Sequence, residues 1–240
     1  MTQRNKLGII VSEFLGTAIL TSTILAQANS NVIVNKTWFV AATAGITLTM
    51  LCLVIGKVSG AHVNPAVTVG LWTLRKIETT TAVVYISSQL LGAAVALRLF
   101  QYFQNDLLLN IAGGFEWRIF VAEAIGTMIF TMGVASVVTQ KLEGYKAAFV
   151  IGSSLMLGIV VASTASNGIL NPAVALGLNS WNWTYAVAPI LGSVLGMNIY
   201  DLFIASESSL KVITKPLDIV SNTATKKVAT KKKTSKKAKN

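Results

Sequence analysis

Two Asn-Pro-Ala triplets are the residues of this chain whose types and spacing most clearly suggest chemistry. They are Asn64, Pro65, Ala66 and Asn171, Pro172, Ala173. Each triplet runs into a short apolar stretch, 66–74 and 173–178, that is too short to cross a bilayer. Proline is well tolerated at the first helical position, and an asparagine before it can cap the helix. Each triplet therefore predicts a short half-helix that begins beside a hydrogen-bonding amide.

The pairing of the two triplets carries more information than either one alone. A single triplet would indicate only a well-capped short helix. Non-helical backbone at membrane depth is tolerated where it is buried in protein or lines a water-filled cavity. Interrupted segments at corresponding positions of two repeats are the best sequence indication of a transport pathway. The pair therefore predicts a pathway across a membrane.

Other reactive side chains are few in the sequence. It has no carboxylate pair, no Cys/His arrangement and no phosphate-binding glycine loop, so we predict that it is not an enzyme and has no cofactor. His62 is the only histidine, and no cysteine or carboxylate cluster lies near it, which argues against a metal site. Cys52 is the only cysteine and is interpreted as a small buried apolar residue.

The elements that must position these residues are apolar helices. Hydrophobic residues make up 53% of the 240 residues and charged residues only 12%, with a mean hydropathy of +0.63, which indicates a bilayer as the main solvent. Stretches long enough to span it recur six times. They are 7–28, 38–57, 80–103, 118–139, 146–164 and 183–205. We predict one membrane domain over residues 1–205.

The six stretches form two internal repeats, about 7–103 and 118–205. Ser12–Thr17 in the first span corresponds to Ala122–Thr127 in the fourth. The glutamate of this motif precedes the asparagine of the triplet by 51 residues in the first half and by 48 in the second. Because three spans are an odd number, the second repeat must enter the membrane from the opposite side, which predicts inverted topology.

Basic residues predict the orientation of the chain. Positively charged side chains follow the second span and flank the connection between the fourth and fifth spans, namely Lys57, Arg75, Lys76, Lys141 and Lys146. The positive-inside rule places these connections and both termini in the cytoplasm. We expect an integral membrane protein of the plasma membrane.

The C-terminal segment 206–240 differs from the rest in composition. It contributes +8 of the formal net charge of +11 and has no apolar periodicity, which predicts a disordered, lysine-rich cytoplasmic tail. Two interpretations stay open: binding to anionic lipid headgroups, or a solvated tail that binds nothing. Nucleic acid is the weaker third alternative, because aromatic residues are not interleaved with the lysines.

Three segments of the sequence resemble the aquaporin (major intrinsic protein) family. Residues 59–68, SGAHVNPAVT, match the family's first signature loop almost letter for letter, and residues 85–92 and 188–192 are similar to the third and sixth spans. The resemblance covers roughly residues 7–205. It implies an all-α membrane protein with six transmembrane helices plus two re-entrant half-helices in an inverted repeat, assembled as a homotetramer.

The resemblance also implies roles for individual residues. The half-helices would meet at the midplane, where Asn64 and Asn171 point their amides into the pore and the positive helix ends repel cations. Backbone carbonyls of Gly60, Ala61, His62, Asn167, Gly168 and Ile169 would accept hydrogen bonds from the solute. Glu13 and Glu123 would brace the loops, which we prefer to a proton relay because no intramembrane lysine or carboxylate chain lies beside them. Gln89 would make a polar contact between helices.

The sequence departs from the family at its selectivity constriction. Most members have an arginine three residues after the second asparagine, where this chain has Val174. The other constriction positions fall at Ala44, Ile159 and Gly168, so we expect a constriction that is wider and less polar than in a strict water channel. Glycerol-conducting members have an aspartate next to the arginine, and this chain has Ala175.

The predicted function is a passive channel for water and small uncharged solutes, among them glycerol, urea or ammonia. Its expected partners are these solutes, membrane lipids and further copies of the chain. One alternative is a junctional or scaffold membrane protein with a closed pore. A second is a coupled secondary carrier, which needs a titratable or ion-binding group at the midplane, where the sequence has Asn and Pro instead.

Overall fold

The computed structural model describes residues 3–28, 36–105 and 113–205. Within these residues the chain forms eight α-helices. They are α1 (Gln3–Ala28), α2 (Lys36–Ser59), α3 (Pro65–Thr73), α4 (Thr79–Gln104), α5 (Trp117–Gln140), α6 (Gly144–Ala162), α7 (Pro172–Gly177) and α8 (Trp183–Ile199). A π-helical turn, Tyr200–Ala205, continues α8.

Six of these helices are long and apolar enough to cross a membrane: α1, α2, α4, α5, α6 and α8 with its π-helical turn. They coincide with the six predicted spans to within a few residues at each end. The remaining two, α3 and α7, have 9 and 6 residues and lie where the sequence predicts half-helices. The all-α membrane fold with six spans and two half-helices is therefore confirmed. The predicted tail, 206–240, lies outside the described residues.

The helix contacts repeat between the two halves of the chain. In the first half α1 packs against α2 and α4, and in the second half α5 packs against α6 and α8. The half-helices cross between the halves, since α3 packs mainly against α8 and α7 mainly against α4. Helices α3 and α7 also contact each other. Neither half can therefore seat its own half-helix without the other half.

Large apolar side chains cover the outside of the helices as well as the inside. Exposed examples on the spans are Leu15, Ile46, Val83, Phe149 and Leu195, as expected of surfaces whose solvent is lipid. The interior holds a continuous apolar cluster to which α1, α2, α5 and α6 and both half-helices contribute. The candidate site lies along this cluster.

Candidate functional site

The two asparagines of the Asn-Pro-Ala triplets cap the half-helices. The Asn64 side-chain oxygen accepts a hydrogen bond from the Ala66 N–H at 2.8 Å. Its counterpart on Asn171 accepts from the N–H groups of Ala173 at 3.0 Å and Val174 at 3.3 Å. Pro65 and Pro172 occupy the first helical positions, where a missing N–H costs nothing. This local geometry is the one that the triplets predict.

The asparagine amides also join the two loops to each other. Asn64 Nδ2 donates to the Leu170 carbonyl and Asn171 Nδ2 donates to the Val63 carbonyl, both at 2.9 Å. Each bond links an asparagine to the residue that precedes the other asparagine. A primary amide carries two N–H groups, so each side chain keeps one further donor beside the cavity that both residues line.

Glu13 holds the backbone of the first loop. Its carboxylate oxygens accept from the His62 N–H at 3.0 Å and the Val63 N–H at 2.8 Å. Gln89 Nε2 donates to the same carboxylate at 2.7 Å and to Thr68 Oγ1 at 3.0 Å. The Glu13 side chain is fully buried, so these donors satisfy a group that water does not reach.

Glu123 makes the equivalent bonds in the second loop. Its carboxylate accepts from the N–H groups of Ile169 at 2.9 Å and Leu170 at 2.7 Å and from Ser166 Oγ at 2.8 Å. Ser166 corresponds to Ser59 of the first loop, which also lies five residues before its asparagine and hydrogen-bonds to Glu13.

The direction of these N–H groups decides where the loop carbonyls point. The peptide bonds of the described residues are trans, and in a trans peptide the C=O of one residue points opposite to the N–H of the next. The carbonyls of Ala61 and His62 therefore point away from Glu13. Those of Gly168 and Ile169 point away from Glu123. This geometry supports the predicted row of backbone acceptors.

Both loops contain strained backbone. Ala61, Val63 and Leu170 have φ angles of 51°, 42° and 53°, in the left-handed region that a β-branched residue such as valine strongly avoids. Such conformations persist only where the surroundings over-determine them. The glutamate hydrogen bonds and the reciprocal asparagine bonds provide that constraint.

His62 lies at the end of the first loop next to Thr68, which is near its Nδ1 at 3.2 Å. Its ring packs against Tyr85 with centroids 4.7 Å apart. His62 lines two cavities. One is a vestibule of about 800 Å³ between α2, α3, α5 and α6, with Lys57, Lys141 and Glu143 among its lining residues. The other lies at the level of the two asparagines.

The cavity at the asparagines is small and mostly apolar. Ala44, Ile159 and Val174, three of the four predicted constriction residues, line it. Gly168 lies in the second loop, where its N–H donates to Ser166 Oγ at 2.9 Å, outside the lining that the described residues form. The cavity has a volume of about 10 Å³, which is enough for a single water molecule. The volume therefore gives no support to a widened passage at this level.

Several lining residues were missed by sequence reasoning. They are Leu20, Ile24, Leu48, Phe130 and Leu155. A signal for some of them is present in the sequence. Leu20 and Phe130 each follow the glutamate of their repeat, Glu13 or Glu123, by seven residues, which places them on the same helix face two turns later.

Two inverted sets of three spans, with paired half-helices at an internal cavity, define a membrane channel of the inverted-repeat class. A family model described as Major intrinsic protein matches residues 1–200. The chain belongs to the major intrinsic protein family. Members of this family are channels for water and small solutes and not enzymes, and Asn-Pro-Ala motifs and tetramers are typical of them.

Individual relatives agree with this assignment. Aquaporin NIP1-1 of Arabidopsis thaliana is 29% identical over 229 residues, covering 86% of this chain and 77% of the relative. Aquaporin AqpM of Methanothermobacter thermautotrophicus is 32% identical over 188 residues, covering 68% and 75%. The X-ray structure of the aquaglyceroporin from Plasmodium falciparum superposes with a TM-score of 0.72 at 25% identity, covering 85% of this chain and 99% of that one. The chain is thus an integral membrane protein.

Proposed function

We propose that this chain is a passive channel for water and small uncharged solutes, of the size of glycerol, urea or ammonia, with a constriction that lacks arginine. The observation that carries the proposal is the pair of half-helices that begin at Asn64 and Asn171, each with one amide N–H free to meet a solute at the shared cavity. The structure neighbour from Plasmodium falciparum is named an aquaglyceroporin, which agrees with passage of small neutral molecules.

Exclusion of ions follows from two features of the proposed pore. The N-termini of α3 and α7 both lie at the asparagines, and a helix N-terminus carries a partial positive charge that repels cations. The cavity there is lined mainly by aliphatic side chains, which cannot replace the hydration shell of an ion. The loop carbonyls of Gly60, Ala61, His62, Asn167, Gly168 and Ile169 serve as acceptors for neutral solutes in this proposal.

Val174 stands where most members of the family have arginine. Valine is shorter and presents no charge and no side-chain donor, so a solute meets an aliphatic wall there. Ala44 and Ile159 have the same character and are buried. We therefore propose that selection at this level depends on the shape and desolvation of the solute and not on a fixed positive charge. The lining supports the apolar character of this constriction, whereas its small volume gives no support to the extra width that the sequence predicts.

The proposal extends to the surroundings of the channel. We propose a homotetramer in the plasma membrane with both termini in the cytoplasm, and contact of the segment 206–240 with anionic lipids. The basic residues Lys57, in the last turn of α2, and Lys141, after α5, support the orientation, because both line the same vestibule. Lysines near an anionic surface contribute about 1 kcal/mol each to binding.

Proteoliposomes test the channel directly. Stopped-flow light scattering should show water and glycerol permeability above that of empty liposomes. Val174→Arg should lose most of its glycerol permeability and keep more of its water permeability, because the guanidinium narrows the constriction. Val174→Met, similar in length but uncharged, is the matched control. An equal loss of glycerol permeability in Val174→Arg and Val174→Met would show that side-chain size alone causes the loss.

The small size of the asparagine cavity favours one second candidate, a closed-pore junctional or scaffold membrane protein. A hydrophobic constriction can exclude water altogether. The same measurement separates the two functions. Wild-type permeability equal to that of empty liposomes for both solutes would replace the open channel by the closed-pore alternative.

A further inference from the structure

Helix α4 carries a mostly apolar groove on its outer face. The groove has a volume of about 450 Å³ and is lined by Leu91, Ala94, Val95, Arg98, Leu99 and Tyr102. These positions recur every three or four residues, which places them on one face of the helix. Gly92, Ala93 and Ala96 lie on the other face and are buried inside the protein. The groove is therefore a feature of the surface that meets lipid.

The length of the groove fits one leaflet of a bilayer. Leu91 and Tyr102 are eleven positions apart, about 16 Å along a helix, and one leaflet supplies half of a hydrocarbon core of about 30 Å. Helix α4 has 26 residues, about 39 Å, so it is longer than that core. Arg98 lies six residues before the last helical residue, Gln104, about 9 Å from the helix end. Its guanidinium can therefore reach the level of the headgroup phosphates.

Arg98 is the one charged residue of α4, and among the described residues it has no ion-pair partner. Its Nη1 donates to Gln101 Oε1 at 3.1 Å, a neutral acceptor. A guanidinium carries five N–H groups in a fork that matches a phosphate. A cation at the edge of hydrocarbon is costly unless an anion accompanies it. The groove therefore calls for a partner with one negative group.

A lipid suits this groove better than a second copy of the chain. Because consecutive spans alternate in direction, the start of α5 lies at the same end as Arg98, and its described carboxylate, Glu116, is already bound to Arg118 at 2.8 Å. A phospholipid brings a phosphate for the guanidinium and a hydrocarbon chain for the exposed side chains of Leu91 and Val95. Tyr102, one turn beyond Arg98, is exposed and has the amphipathic ring typical of the headgroup level.

We propose that this groove binds one anionic phosphoglyceride, with its phosphate at Arg98 and one acyl chain along Leu91 and Val95. A phosphate whose headgroup contains no ammonium keeps its whole charge for the guanidinium. The site therefore prefers phosphatidylglycerol to phosphatidylcholine. It is separate from the proposed lipid contact of the segment 206–240, and it does not depend on the proposed channel function.

Native mass spectrometry of the full-length chain tests the site by counting the lipids that stay bound after release from detergent. With both lipids at equal mole fraction, the wild type should retain phosphatidylglycerol in preference to phosphatidylcholine. Arg98→Gln should lower the affinity for phosphatidylglycerol about tenfold, because charge-assisted hydrogen bonds are lost. Arg118→Gln makes the same change at the same end of the spans but outside the groove, and it should keep the wild-type affinity.

Two results would overturn the proposal outright. One is equal affinity of Arg98→Gln and Arg118→Gln for phosphatidylglycerol, since both variants keep the segment 206–240 and differ only in the groove. The other is equal retention of the two lipids by the wild type. Glycerol 1-phosphate carries the phosphate without acyl chains and should not displace phosphatidylglycerol at equal concentration. Displacement would assign the site to soluble phosphate compounds and contradict the lipid assignment.

The change Ala94→Phe tests the acyl chain by filling the groove while it leaves the charge of Arg98 in place. The affinity for phosphatidylglycerol should fall several-fold, because the chain loses apolar contact area. Val83→Phe adds a ring to an exposed position of α4 outside the groove and should bind like the wild type. Unchanged affinity in Ala94→Phe would contradict the placement of the chain. Thermal unfolding without added lipid checks that each variant folds, and if one does not, the other decides.

Discussion

At the scale of single residues, Glu13 and Glu123 stabilise the backbone conformation of the two loops. Each buried carboxylate binds two backbone N–H groups, and the adjacent residues Val63 and Leu170 have left-handed backbone. Strain of this kind costs on the order of 1–3 kcal/mol per residue. The hydrogen bonds to the carboxylates offset this strain. They also hold the carbonyl groups of the same peptides pointing away from the carboxylates.

Replacing Glu123 by Gln should destabilise the protein by about 1–3 kcal/mol. Glutamine keeps one acceptor oxygen, but its NH₂ group would face the N–H of Leu170 or Ile169 and leave it unpaired. The unfolding midpoint in detergent should fall by about 2–4 °C for each kcal/mol in a chain of this length. Glu116→Gln is the control, because Glu116 pairs with Arg118 at the surface, where ion pairs contribute little. Equal midpoints for both variants would contradict the bracing role.

At the scale of elements, the helix pairs α1·α4 and α5·α8 depend on close backbone approach at glycines, among them Gly92 and Gly192. A Cβ at Gly92 would overlap the Phe14 carbonyl oxygen, and one at Gly192 would overlap that of Ala124. No side chain fits there without moving a helix. Since α4 and α8 also seat the opposite half-helices, a shift at either glycine would reach the asparagine cavity.

Gly192→Ala should therefore destabilise the protein by about 1–3 kcal/mol through overpacking and lower water permeability. Gly56→Ala is the matched control, because nothing lies within 4 Å of a Cβ at that position of α2. Alanine has the higher helix propensity, so this control should be neutral or stabilised by up to about 1 kcal/mol. Thermal unfolding in detergent and stopped-flow permeability measure both effects. Similar destabilisation in the two variants would contradict the close-packing argument.

At the scale of the whole molecule, the inverted repeat joins the halves through their half-helices. The loop of each half donates an amide to the loop of the other, and each half-helix packs mainly on a transmembrane helix of the opposite repeat. The cavity at the asparagines is thus assembled from both halves. Its formation requires the two repeats to have opposite orientation in the membrane.

The proposed orientation predicts which connections an impermeant thiol reagent reaches in a Cys52→Ala background. Gly114→Cys, in the exposed segment before α5, should be labelled in intact cells. Lys76→Cys, exposed between α3 and α4, should be labelled only after the membrane is opened, because the positive-inside rule places it in the cytoplasm. The reverse pattern would show that the orientation is opposite to the proposed one. Labelling of both variants in intact cells would contradict the inverted topology.

Much of the fold and part of the site could be predicted from the sequence. The six spans, the half-helices and the caps at Asn64 and Asn171 follow from signals within about 25 neighbouring residues, namely apolar length and proline after asparagine. The repeat follows from the matching spacing of the two motifs along the chain. Ala44, Ile159 and Val174, which the family resemblance predicts at the constriction, line the asparagine cavity, and their apolar character is a property of the residues themselves.

The rest was decided by tertiary structure. The bonds from Asn64 to Leu170 and from Asn171 to Val63 join residues 106 and 108 positions apart, and no local pattern states which carbonyl an amide will reach. The small volume of the asparagine cavity depends on how Leu20 and Ile24 of α1 pack against Phe130 of α5. By itself the sequence determined that the chain spans the membrane in two inverted repeats with paired half-helices, because hydrophobic length and helix capping act locally. The tertiary structure determined how narrow and how apolar the passage is, because width and wall chemistry exist only where distant helices meet.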